Sequence, residues 1–228
     1  MQKKDNGRRD FLKLAAIGVA GFAAPYARGM YQAPRDPIQR PETPERALQL
    51  LAEGNQRYVA QKLVSFQEDL DILREHTEEH QEPFAAVLSC ADSRVPVEIV
   101  FDQSIGHLFV VRVAGNIATP DTIASLEYGA AVLGTKAIVV LGHTNCGAVK
   151  ATIAGKAVPG QISGLYQYIH PAINGANGDA NIATRQNAAL QASVLRDSSP
   201  VLSDLMKQKK LAIRAGVYDI GNGKVTMF

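Results

Sequence analysis

The chain has no tryptophan and only two cysteines in 228 residues. Two thiols cannot staple a disulfide-dense scaffold, nor can they fill a four-cysteine zinc knuckle. A surplus of charge is missing too. The formal net charge is +2, so no polyanion, and no nucleic acid in particular, is an expected partner. Long apolar runs are also lacking. The stretch Leu14 to Ala24 is too short for the roughly 20 residues of an ordinary transmembrane helix. No internal repeat or low-complexity block appears. The length suits one α/β domain with an extension, with ample chain to bury a core.

The extension reads as an address. Arg8-Arg9-Asp10-Phe11-Leu12-Lys13 precedes the mildly apolar stretch, a pattern similar to a twin-arginine export signal. Gly7 departs from the Ser or Thr common there. Pro25 and Tyr26 ahead of Ala27 spoil an Ala-x-Ala cleavage site. Residues 1–30 are therefore assigned to an export signal that engages the export machinery. The expected location is periplasmic or otherwise exported, with a membrane tether if the signal stays uncleaved. The competing reading is an amphipathic helix packed on the domain. Residues 1–27 carry five basic and two acidic side chains, so the remainder would be near −1. Residues 31–43, with Pro34, Pro37 and Pro41, read as a linker, and residues 44–228 as the functional domain.

Within that domain a helix opens at Thr43 or Glu45 and runs to about Lys62, with Ala47, Leu48, Leu51 and Tyr58 on one face. A polar, acidic helical stretch follows to His80. Apolar runs then occur at Phe84–Ser89, Leu108–Val113, Ala137–Leu141 and Leu211–Val217, rich in Val, Ile and Ala as strands buried on both faces are. Helices are expected over Asp121–Leu133, Cys146–Ala154, Asn181–Leu195 and Val201–Gln208. Gly221-Asn222-Gly223 marks a turn into a short terminal strand. This alternation predicts an α/β fold: a mostly parallel central sheet flanked by helices.

The two cysteines lie in Cys90-Ala91-Asp92-Ser93-Arg94 and His143-Thr144-Asn145-Cys146, each just past an apolar run. Open α/β sheets place their ligand sites at those strand ends. Two thiolates and one imidazole are three zinc ligands with a fourth position open, the arrangement of catalytic rather than structural sites. Asp92 is near enough to compete for that position or to steer whatever fills it. Cys90 and His143 are 53 residues apart, so the fold must assemble the site. The competing reading is a Cys90–Cys146 disulfide in an oxidising compartment, but a disulfide needs neither His143, Asp92 nor Arg94. Cys146 should open a helix whose free N–H groups favour its thiolate, and Gly147 allows close approach of metal or substrate.

These two segments resemble the signature of the β-class carbonic anhydrases, Cys-x-Asp-x-Arg followed by His-x-x-Cys. The likeness continues through Val95-Pro96, His107 to Arg112, Ala114-Gly115-Asn116 and Ser125-Leu126-Glu127-Tyr128, and spans about Pro44 to Phe228. It implies one zinc per subunit on Cys90, His143 and Cys146, with Asp92 or water fourth. It also implies reversible hydration of carbon dioxide to bicarbonate and a homodimer or higher homo-oligomer. In that mechanism Asp92 orients the nucleophile, and the fixed charge of Arg94 holds Asp92 off the metal. Gln81, Phe109 and Tyr128 match residues that shape the substrate pocket, partly across a dimer interface, which an otherwise unanchored N-terminal helix would suit. One subgroup has a second, inhibitory bicarbonate site built on a Trp where this chain has Val87. Arg112 matches another residue of that site, but without the Trp no such regulation is expected.

Other readings keep the fold but change the chemistry: a zinc hydrolase of carbonyl sulfide or carbon disulfide, or a catalytically silent zinc-bound binding module. His76-Thr77-Glu78-Glu79-His80 fits an inverted zinc-protease pattern, but its surroundings are acidic and lack an apolar face. Gly221-Asn222-Gly223-Lys224 is only a faint phosphate-loop pattern, since no helix follows it.

Overall fold

Four short apolar runs pair side by side to make the centre of the molecule. The structure is a computed structural model and describes residues 40–65 and 77–228. The assigned signal, nearly all of the linker and most of the acidic stretch before His80 lie outside the described residues. Strands β1 (Ala85–Ser89), β2 (Leu108–Arg112), β3 (Ala137–His143), β4 (Ala212–Tyr218) and β5 (Val225–Met227) form one sheet in the order β2-β1-β3-β4-β5. The first four are parallel; β5 returns antiparallel on β4 through the Gly221-Asn222-Gly223 turn. Asp219 closes that turn by accepting from the Gly221 amide and the Asn222 side chain, so this glycine pair makes a hairpin and not a phosphate loop.

Every residue of β1 and β3 is buried, and their side chains alternate between two cores as strand geometry requires. Ala86, Leu88, Ile138, Val140 and Ile213 face one way, onto Ala188, Ala192, Leu195 and Leu202. Those four belong to helices α6 (Ala180–Ser198) and α7 (Pro200–Lys207). Ala85, Val87, Val139 and Leu141 face the other way, onto Leu51, Val97, Val100 and Phe101. Here the covering elements are α1 (Pro44–Val59) and the single turn α2 (Val97–Val100).

Thr43 caps α1 by accepting from the Arg46 amide at 3.2 Å, and Pro44 fills its first position. The helix is anchored on its own subunit, contrary to the expectation from sequence. Gly54 lies so close to Phe101 that even an alanine Cβ would stand 1.7 Å from the Phe101 carbonyl oxygen. Beside it Asn55 donates to the Val100 and Gly223 carbonyls and accepts from the Val225 amide, tying α1 to α2 and to the terminal hairpin. After α1 the chain is fastened again at Asp102. That carboxylate is wholly buried, pairs with Arg57, and accepts from the Val64 and Ser65 amides. Burial alone would raise its pKa, but the Ser65, Arg57 and Val64 donors outweigh burial and hold it below the ordinary range.

Three further elements differ from expectation. The helix after Thr119 is α-helical as α3 (Pro120–Glu127), then widens to a π-turn at Tyr128–Val132. Between α4 (Gly147–Ala154) and α6 stand a 3₁₀ turn, Ile162–Leu165, and α5 (Tyr166–Ile173), neither of which was expected. Of residues 77–80 only Thr77 is helical; His76 lies outside the described residues. Among the described residues no helix is long and apolar enough to cross a membrane.

Candidate metal centre

Because β1 and β3 are parallel neighbours with Ser89 beside Leu141, both end at the same edge of the sheet. Cys90 follows the last residue of β1, and His143 is the last of β3. Asn145 then takes a left-handed turn, φ 59°, a conformation asparagine tolerates better than most residues. That turn swings Cys146 back to cap α4. The three side chains converge: Cys90 Sγ, Cys146 Sγ and a His143 ring nitrogen all lie within 4.8 Å of one another. The sulfurs are 4.0 Å apart, close to the ~3.8 Å that two thiolates span on a tetrahedral zinc.

His143 is completely buried. Its Nδ1 lies 2.9 Å from the Thr144 carbonyl and donates its hydrogen there, which leaves Nε2 as the ring's acceptor. That atom is buried and has no hydrogen-bond partner. Such an orphan costs free energy unless something fills its lone pair, and a cation held with the two sulfurs would do so. Thr144 is itself held at both ends, its amide donating to the Tyr218 carbonyl and its hydroxyl accepting from the Ile220 amide.

The thiols titrate as a pair. Hydrogen bonding from Cys146 lowers Cys90, helped by the Gly115 amide, which donates to Cys90 Sγ at 3.3 Å. The same contact, together with burial, raises Cys146. Two buried thiols this close resist being ionised together, so a divalent cation is what would let both sulfurs be thiolates. The donor set therefore fits zinc: two sulfurs, one orphaned imidazole nitrogen, and a dry surround of Ile117, Val149 and Ile169.

Asp92 stands outside the trio. Its nearest oxygen is 3.8 Å from His143 Nε2, beyond hydrogen bonding. Instead Arg94 grips it in a two-pronged pair, Nε to Oδ1 at 2.9 Å and a terminal nitrogen to Oδ2 at 2.7 Å, with the Arg94 amide adding a third bond at 3.0 Å. The guanidinium holds the carboxyl well below the usual carboxylate range. Arg94 also reaches the Asn145 carbonyl at 3.3 Å, joining the two ligand loops. Arg112, matched from sequence only to an inhibitory site, donates instead to the carbonyls of Cys90 and Asp92 at 3.0 and 2.6 Å and so pins the first loop.

The expected pocket residues are less gathered. Gln81 is exposed. Phe109 sits in edge strand β2, its ring 6.3 Å from that of Tyr128, which is 47% exposed at the start of the π-turn. Phe109 packs with the core on one face of the sheet and not with the cluster around the sulfurs. At Gly147 an added Cβ would meet nothing within 4 Å, so the space before it is open. His107 is half-buried and serves locally, its Nδ1 accepting from the Ser104 amide; desolvation lowers its pKa to about 4. Three partners of the site were not read from sequence: Thr144, Gly115 and Arg112 in its clamping role.

Residues 85–225 match the carbonic anhydrase family. Carbonic anhydrase 2 of Mycobacterium tuberculosis is 32% identical over 192 residues, covering 81% of this chain and 92% of that protein. The fold superposes on a Coccomyxa β-carbonic anhydrase in complex with acetazolamide, with TM-score 0.61 and 27% identity over 69% of this chain and 80% of that one. It also shares the fold of one of two tetrameric β-carbonic anhydrases of Sordaria macrospora, with TM-score 0.61 and 22% identity over 70% and 90% of the two chains. A match that runs through nearly the whole of a relative, on a shared fold, decides the matter: the chain belongs to the β-carbonic anhydrase family.

Proposed function

We propose that this chain catalyses the zinc-dependent, reversible hydration of carbon dioxide to bicarbonate and a proton, with one zinc per subunit on Cys90, His143 and Cys146. The observation that carries this reading is the buried, unpartnered His143 Nε2 beside two sulfurs 4.0 Å apart. Zinc bound there would supply the Lewis acidity that makes hydroxide available near neutral pH. Because Arg94 keeps Asp92 ionised and off the trio, a fourth position stays open to water. The remaining lone pairs of Asp92 accept a hydrogen bond from the nucleophile and orient it. Arg112 and Arg94 hold the backbone of both loops.

Gln81, Phe109, Tyr128 and Gly147 are assigned to substrate binding, in a pocket that a second copy of the chain completes. Strand β2 is the open edge of the sheet and only half-buried along most of its length. Tyr128 and Val132 stand exposed in the π-turn whose Gly129 abuts Phe109. An unpaired apolar edge of this kind is a pairing surface, so a homodimer or a higher assembly follows. Residues 1–30 are read as the export signal, which would make the enzyme periplasmic or otherwise exported, and membrane-tethered if the signal stays uncleaved. Fractionation should find an Arg8→Lys, Arg9→Lys double variant retained inside the cell; unchanged export would reject the signal.

The test of function is stopped-flow carbon dioxide hydration on the purified protein at about pH 8, with zinc measured on the same sample. Rapid hydration that a chelator abolishes and added zinc restores is the expected result. A fully zinc-loaded protein with no hydration would reject the assignment and favour a sulfur analogue of carbon dioxide or a silent binding module.

A further inference from the structure

Two thiolates donate more charge to a metal than imidazoles do, so a catalytic site built on them needs something to temper the sulfurs. The Gly115 N–H, 3.3 Å from Cys90 Sγ, is placed to do so. Gly115 belongs to the loop after β2, has φ 79°, and is pressed so closely that an added Cβ would stand 2.6 Å from Ile169 Cδ1 and 3.3 Å from Ala148 Cβ. Packing sets its position, and a bond to its carbonyl, on the peptide that follows Gly115, would fix the dihedrals that join that peptide to the one carrying the N–H.

That control lies on α6. Asn187 Nδ2 donates to the Gly115 carbonyl at 2.8 Å. Asn187 Oδ1 accepts from Gln191 Nε2 at 3.0 Å, and Gln191 Nε2 also donates to the Tyr168 carbonyl at 2.8 Å. Gln191 Oε1 accepts from the Ala118 amide at 2.9 Å. Both side chains are essentially inaccessible, at 0% and 1% exposure. The chain of bonds has one polarity. Ala118 has only a hydrogen to give and Tyr168 only a lone pair, so the Gln191 amide cannot flip. Asn187 must then accept from Gln191, which turns its NH₂ to Gly115.

We propose that Asn187 and Gln191 are positioning residues for the metal centre, acting through the Gly115 amide to hold and temper the Cys90 sulfur. Their carboxamides are buried among apolar side chains where a polar group is costly unless used, and each is used to fix the 115–118 loop. With the loop fixed, the N–H stays on the sulfur and draws charge from it, which would leave a metal held there a stronger Lewis acid. The inference rests on Cys90 being a metal ligand, as proposed above.

Cobalt(II) in place of zinc gives the direct readout, because a thiolate ligand produces a sulfur-to-cobalt charge-transfer band. In Asn187→Ala that band should move to lower energy, since the sulfur loses its hydrogen bond. Zinc affinity should fall by about 10–100-fold, the usual cost of losing an outer partner of a ligand. Gln191→Met should give a smaller shift of the same sign, and Ser193→Ala, whose hydroxyl donates to Asp197 one turn further along α6, none. A normal band that does not move in either variant overturns the positioning role and leaves the metal reading intact. Absence of any thiolate band in the unaltered protein overturns both. Should the variants not fold, hydrogen exchange in the unaltered, metal-loaded protein decides. The Gly115 amide should exchange far more slowly than that of exposed Gly160, and equal rates would overturn the inference.

Discussion

Asp92→Ala is expected to lower carbon dioxide turnover by about a hundredfold or more while zinc stays at one per subunit. Positioned proton-transfer partners contribute about 10²–10⁴-fold, and Asp92 is the carboxylate that stands next to the trio without belonging to it. Both of its oxygens are committed to Arg94, so its removal takes away the orienting acceptor and none of the three ligand atoms. The measurement is stopped-flow hydration with metal analysis on the same preparation. Loss of zinc together with activity would make Asp92 a ligand and not an orienter. Unchanged turnover would remove it from the mechanism.

Cys146→Ser should be more severe, with zinc lost on dialysis and hydration falling to the uncatalysed rate. The substitution isolates ligand chemistry from folding. Cys146 occupies the N-cap of α4 without making a side-chain cap bond, and serine is among the best residues for that position. The helix should therefore persist, and circular dichroism should be unchanged. A neutral hydroxyl replaces the thiolate, and His143 Nε2, buried and unpartnered, loses one of the two sulfurs beside it. A serine variant that keeps a full zinc complement and activity would contradict the proposed ligand set.

Much of this was legible in the sequence for a plain reason. Strands buried on both faces must be continuously apolar, and ligand residues that follow them directly stand out. Four strands, their mostly parallel arrangement and the Cys90, His143, Cys146 trio came from that contrast, while the strand order did not. The elements that were not legible carry weaker patterns. In α5, Pro171 and the preceding glycines Gly155, Gly160 and Gly164 break the helical signal. The helix α6 itself was legible, but not that its inward face carries Asn187 and Gln191 where apolar residues are expected. The π-turn at Tyr128 has the same composition as an α-helix. The helix α1 was read, but its anchoring was not: Gly54 and Asn55 on its inner side mark a close approach and a buried polar tie.

The partners of the site were hidden for another reason. Gly115 acts through an N–H and Thr144 through a C=O, groups that almost every residue owns, so only the fold says which ones count. Arg112 was visible as a charge, but its clamp on the Cys90 and Asp92 carbonyls depends on the curl of a loop. Gln81, Phe109 and Tyr128 came from resemblance alone. Within one subunit Phe109 packs with the core on one face of the sheet and not with the cluster around the sulfurs.

The proposed centre is an open zinc site of two sulfurs and one imidazole. X-ray absorption at the zinc edge of the purified protein tests it most directly. Two sulfur neighbours at about 2.3 Å, one imidazole nitrogen at about 2.0–2.1 Å and a single further light atom are expected. Zinc with no sulfur in its shell, or a protein that binds no zinc because Cys90 and Cys146 are joined as a disulfide, would contradict it.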